Sequence, residues 1–240
     1  MGALLLLGTF LLAFGPGVIT LITLSKQRPY LFLVSLIAAL FAIFAMIGSG
    51  IIYKIWDAFS TPQPFIMLFV YIGLQEFCRP FFIILLNFFC KKLNRVNVDI
   101  HVSTPSETLK FGLSGGLGCG LVTSAIVGLV PLTSAGSAAT YFIPNCSLNI
   151  YITTSIQIFC LIIIHINWTY LCLYGYSKNS IMPYVLVFIW HFCHGTGYLL
   201  NNLENGCVYF LIFIALETII AILSTVLVAK RTIFSEMKTK

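Results

Sequence analysis

Seven apolar runs, near 3–24, 30–56, 65–90, 109–130, 148–174, 181–200 and 206–229, divide this chain almost from end to end. Each is about 20 residues or longer, the length of helix that crosses a hydrocarbon layer about 30 Å thick. Lipid offers no hydrogen bonds to a backbone, so each run has to satisfy its own amides, and the α-helix does that within one segment. The reading is an all-α polytopic membrane protein with seven transmembrane helices in a single domain, 1–230, followed by a short cytoplasmic tail, 231–240. Composition agrees: the chain is 59% hydrophobic and 8% charged, whereas soluble domains carry about 25% charged residues. The breaks carry turn chemistry, as in Gln27-Arg28-Pro29, Thr61-Pro62-Gln63-Pro64 and Lys178-Asn179-Ser180.

Met1 to Leu24 holds neither Lys nor Arg and runs past Gly15-Pro16-Gly17. A signal peptide has a basic start and a short apolar core, so this segment reads as a spanning helix. Basic residues then orient the set. Lys26, Arg28, Lys91, Lys92, Arg95, Lys110, Lys178, Lys230, Arg231, Lys238 and Lys240 all fall on one side when loops are assigned alternately, leaving Lys54 and the intramembrane Arg79. The positive-inside rule makes that side cytoplasmic, with the N-terminus lumenal or extracellular and the C-terminus cytoplasmic. Topology and contact with anionic membrane lipids account for the net charge of +6, and no nucleic-acid partner is implied.

Within the fourth run, Gly112, Gly116, Gly120, Ser124 and Gly128 recur every fourth residue. That spacing is one ridge of an α-helix, and a ridge without side chains lets a second helix approach at backbone distance. It reads as a docking surface for helix packing or assembly.

Ionisable groups inside spans each cost roughly 2.5 to 3.5 kcal/mol at the bilayer centre, so they should face inward. Glu76 and Arg79 lie three apart on one helical face, where they can neutralise one another. Glu217 has no obvious local partner. Counting about 1.5 Å per residue from the cytoplasmic boundary puts His165 and His191 at one level, near Gly120, with Arg79 and Glu217 within a turn or so. The expectation is an interhelical polar contact involving the two histidines. Most of the eight cysteines sit in spans as small apolar filler, and no metal or cofactor motif is present. Cys146 and Cys207 both fall on the lumenal side, where a disulfide is permitted. Asn145-Cys146-Ser147 is a candidate glycosylation sequon, and Asn167-Trp168-Thr169 lies within a span, out of reach of modification.

Three function classes fit these features. Gly112-Leu113-Ser114-Gly115, with His194 three residues before Gly197, partly matches the motifs of rhomboid serine proteases, with Ser114 and His194 as the dyad. An aspartyl protease fits less well, because Asp57 and Asp99 both fall in loops. A seven-span receptor or transporter suits the span count, but the loops are short and no inverted repeat is visible. The third class is a scaffold without chemistry of its own. Met1-Gly2-Ala3, Gly8-Thr9-Phe10, Ala13-Phe14-Gly15-Pro16, Leu74-Gln75-Glu76 with Arg79, Gly116-Leu117-Gly118-Cys119-Gly120, His165 with Trp168, and His191 ten residues before Asn201 stand in one order. Together, over about residues 1–230, they resemble the anterior-pharynx-defective (Aph) family, the seven-span scaffold subunit of γ-secretase.

The resemblance implies a non-catalytic subunit that assembles with nicastrin, holds presenilin, which carries the catalytic aspartates, and joins presenilin enhancer. It also implies residence in the endoplasmic reticulum, Golgi, plasma membrane and endosomes, and a part in intramembrane proteolysis such as Notch processing. The family's glycine motif falls on Gly116, Gly120 and Ser124, where serine replaces a third glycine. Its two membrane histidines fall on His165 and His191.

Overall fold

The computed structural model describes residues 2–61, 63–95, 104–133 and 148–238. It is helical throughout: α1 Gly2–Gln27, α2 Tyr30–Asp57, α3 Pro64–Asn94, α4 Pro105–Thr133, α5 Ile150–Ser177, α6 Met182–Gly197 and α7 Gly206–Lys238, with a 3-10 turn, Tyr198–Asn202, after α6. Six of these helices are long and apolar enough to cross a membrane. The sixth expected span differs. α6 proper has 16 residues, a rise of about 24 Å, and only with the 3-10 turn does it approach the length expected for 181–200. α2 takes in Asp57, expected in a loop, and α7 continues through most of the stretch expected as tail. Pro16 and Pro80 lie inside α1 and α3 without ending them. Asn179, at the turn after α5, has φ of 50°, a left-handed conformation that asparagine accepts more readily than most residues.

Two helices make the centre. The apolar windows of α4 and α5 are 61% and 67% buried, against 22 to 33% for those of α1, α2, α3 and α7, so α4 and α5 are sheathed by protein and the others lie on the outside of the bundle. Polar residues mark the sheathed helix: Thr153, Ser155, His165, Asn167 and Thr169 of α5 are all buried. In lipid this is the reverse of the soluble pattern, because the hydrocarbon solvates leucine and leaves hydroxyls and amides to seek protein partners.

The glycine ridge of α4 is filled from within the chain. A Cβ on Gly112 would stand 2.8 Å from Cα of Tyr170, and one on Gly120 would stand 3.0 Å from Cα of Ile162. At Gly116 the obstacle is Cα of Ile166. The Ser124 hydroxyl faces the Ile158 carbonyl at 3.4 Å, and Gly128 is buried one turn further on. Each step of four up α4 is a step of four down α5, so the two helices are antiparallel and in contact from Gly112 to Ser124. Within the chain, the helix that lies in this groove is α5. A second face of α4 meets α2, where the Ser114 hydroxyl donates to the Leu31 carbonyl and Gly118 abuts the Ser35 backbone.

Such correspondences order the bundle. Numbers rise together between α2 and α4 (Leu31 with Ser114, Ser35 with Gly118). They also rise together between α1 and α5 (Thr9 with Ser155, Gly17 with Ile162) and between α5 and α7 (Asn167 with Ala221, Tyr170 by Thr232). They run oppositely between α2 and α3 (Phe41 with Phe82, Gly48 with Leu74), between α3 and α6 (Glu76 with His191, Ile72 with Gly195), and between α6 and α7 (His194 with Glu217, Gly197 with Phe213). Odd helices therefore point one way and even helices the other. At the basic end, Glu107 in the first turn of α4 accepts from Arg28 and Tyr30, each at 2.9 Å, and from Lys110 at 2.7 Å. This ties the α1/α2 turn to α4 with an acid where the helix dipole favours one.

Candidate functional site

The indole of Trp168, fully buried on α5, is the hub of a polar layer within the bundle. His191 of α6 lies over it with ring centroids 4.2 Å apart, while His165 and His194 meet it edgewise at 5.1 and 5.7 Å. The Arg79 guanidinium sits 6.0 Å from the same ring, within reach of the cation–π attraction.

Around this hub every ionisable group has a partner. Arg79 grips Glu76 with two hydrogen bonds, Nε to Oε2 at 2.9 Å and Nη2 to Oε1 at 2.7 Å, and Nη1 donates to Thr169 Oγ1 at 3.0 Å. His191 Nδ1–H donates to Glu76 Oε1 at 2.6 Å. A second imidazole–carboxylate bond, His194 Nδ1–H to Glu217 Oε2 at 2.6 Å, joins α6 to α7. His165 turns its Nδ1 toward Cys119 Sγ of α4 at 3.6 Å. Asn167 Nδ2 lies 2.9 Å from the Ala221 carbonyl and 2.7 Å from both Ser224 Oγ and Thr225 Oγ1 of α7. The ionic groups contribute little net stability as pairs, because desolvation offsets attraction, but each would be costly alone. Their geometry makes a device for fixing which helices meet and in what register.

The layer brings together Glu76, Arg79, His165, His191 and Glu217, with Gly120 beside His165. The expected histidine pair is otherwise arranged. His165 and His191 meet edge to face, with ring centroids 5.9 Å apart, and each directs Nδ1 to a different helix. Glu217, which had no visible partner in the sequence, has His194. That pairing had a signal: His191 and His194 stand three apart and so share a face. Asn167, set aside as an unusable sequon, is a clamp between α5 and α7. Ser114 and His194 each have another bond, to the Leu31 carbonyl and to Glu217. Asn145 and Cys146 lie outside the described residues. Cys207 is disulfide-bonded, and the other six described cysteines are free.

Fold and layer define a polytopic α-helical membrane protein whose interior is built for helix register. The sequence profile of the Aph-1 protein family matches residues 4–232, and the chain belongs to that family. A curated relative from Arabidopsis thaliana, named gamma-secretase subunit APH1-like, is 24% identical over 216 residues, covering 84% of this chain and 83% of that protein.

The separate partners have a measurable consequence. In double-mutant cycles, His194→Ala with Glu217→Gln should couple strongly, as should His191→Ala with Glu76→Gln, because each pair shares a bond. His165→Ala with His191→Ala should couple more weakly than either hydrogen-bonded pair, because the two share only ring contacts, with each other and with Trp168. Steric-trap unfolding in bicelles reads all three.

Proposed function

We propose that this chain is a non-catalytic scaffold subunit of a γ-secretase-type intramembrane protease, binding presenilin and nicastrin, with presenilin enhancer as the fourth chain. The observation that carries the reading is membership of the Aph-1 family along nearly the whole length. The polar layer supports it, since its bonds are spent on helix-to-helix contacts. In this reading the α4/α5 pair, fixed by the glycine ridge, is the rigid centre on which outer helices present lipid-facing surfaces to partner spans. The compartments proposed are the endoplasmic reticulum, Golgi, plasma membrane and endosomes.

The seventh crossing belongs to the same proposal. α5 and α7 run parallel, so the chain between Ser177 and Gly206 has to return across the membrane, and α6 with its 3-10 turn is what lies between. Seven crossings place the termini on opposite sides, and the basic bias puts the C-terminus in the cytoplasm. A glycosylation reporter should be modified at the N-terminus and unmodified at the C-terminus. Modification at both would mean an even number of crossings. Cys146 and Cys207 then both face the lumen, and unreduced peptide mapping should recover them linked.

The test of function is reconstitution. Proteolysis of a γ-secretase substrate should require this chain together with presenilin, nicastrin and the enhancer. Ser114→Ala should keep the activity of the assembly near its unmodified level, with at most a cost of about 1 kcal/mol for the lost bond to Leu31. Loss of proteolysis with assembly intact would favour a rhomboid-like serine protease.

A further inference from the structure

A cavity of about 30 Å³ lies at membrane depth between α2, α3, α4 and α5, walled by Ala38, Ala42, Gln75, Arg79, Cys119 and Thr169. A site that holds one water needs roughly 10 to 15 Å³ and two to four polar partners, so this one has room for one or two hydroxyl-sized groups. Its space comes from α2, where alanines four residues apart present only methyl groups to the arginine-bearing face of α3.

Two polar groups on its wall have bonding capacity left. Gln75 is 5% exposed; its Nε2 donates to the Tyr71 hydroxyl at 2.7 Å, while its buried Oε1 has no partner among the described residues. Arg79, 6% exposed, carries five N–H groups, and three are engaged by Glu76 and Thr169. One wall thus offers an acceptor and donors, the complement of a hydroxyl group, which gives one hydrogen and accepts others. An ionised ligand is disfavoured, because Arg79 is already neutralised by Glu76. The half-buried Phe41 and Cys78, also on the lining, bring the cavity to the lipid face of the bundle.

We propose that this cleft is a binding site for a hydroxyl group, which donates to Gln75 Oε1 and accepts from the Arg79 guanidinium. Two sources carry that chemistry in a membrane: a water molecule, or the hydroxyl of a membrane alcohol such as a sterol whose apolar body lies along Phe41.

The test uses the chain in complex with its partners, in phosphatidylcholine nanodiscs with and without cholesterol. X-ray radiolysis in ¹⁸O-labelled water generates hydroxyl radicals from bound water in place. If water is the occupant, Cys78, Cys119 and Phe82 at the cavity take up label severalfold faster than the buried Cys160 and Cys172. If a membrane alcohol is the occupant, a photoactivatable sterol labels Phe41 or Cys78, and unlabelled cholesterol competes while its 3-methyl ether, lacking the donor, does not. In either case Gln75→Leu should reduce the signal to the level of the control cysteines. Ala42→Val, which fills the cleft from the opposite wall with Gln75 intact, should do the same, and retention of partner chains reports that both variants are folded. Absence of both signals in the unmodified complex, or a signal unchanged by both variants, would overturn the proposal. The γ-secretase reading is judged separately by which partners are recovered.

Discussion

Arg79→Met should be among the most damaging single changes in this chain, destabilising it by about 3 to 5 kcal/mol, because it leaves the Glu76 carboxylate buried without its cation. The change also removes the bond to Thr169 and the guanidinium beside Trp168. His191 remains on Glu76 but cannot replace a two-bond clamp. Glu76→Gln should also be costly, since it leaves the buried Arg79 without its anion, but less so, because the amide keeps an acceptor for His191 and a hydrogen-bonding partner for Arg79. The informative variant is Glu76→Gln with Arg79→Met, in which no charge is left unpaired. It should be more stable than the sum of the single changes allows, with a coupling of about 1 kcal/mol or more. Steric-trap unfolding of the three variants in bicelles measures this, and simple additivity would mean that the two residues act independently.

Gly116→Leu should do comparable harm by a different route. A Cβ there meets Cα of Ile166 and the His165 carbonyl, which are backbone and cannot rotate away. α4 and α5 must separate, and the loss extends to Gly112 and Gly120 on the same ridge. Overpacking typically costs about 1 to 3 kcal/mol, and a rigid obstacle puts this position at or above the upper end. Gly120→Ala should cost less, since its added methyl lies 3.0 Å from Cα of Ile162 and a small shift relieves it. Val127→Leu, on an exposed position of the same helix, should be neutral. Leucine suits the bilayer, so Gly116→Leu should still insert with normal topology while unfolding more easily. Equal stability of Gly116→Leu and the unmodified chain would remove the α4/α5 contact from the account.

Much of this was legible in the sequence because membrane helices declare themselves by length and their inward faces by exception. The glycine ladder, the ion pair at Glu76 and Arg79, and the common depth of His165 and His191 all follow from spacing and the cost of polarity in lipid. Spacing alone could not say which helix fills the ladder, since a groove has the same residues whether α5 or another chain lies in it. Nor could depth assign partners: His165, His191 and His194 share a layer, but rotation about each helix axis decides that Nδ1 of one meets a thiol and of the others a carboxylate. α6 was hard to bound because the residues that follow it, Tyr198 to Asn202, tighten into a 3-10 turn that composition does not distinguish from helix.

The role proposed for the chain is that of a scaffold within a γ-secretase assembly. Purification of the tagged chain from membranes in mild detergent, with mass-spectrometric identification of the chains that accompany it, tests this directly. Presenilin, nicastrin and presenilin enhancer should be recovered in equal proportion, with proteolytic activity that depends on presenilin. Recovery of the chain alone, cleaving substrate by itself and losing that activity on Ser114→Ala, would contradict it.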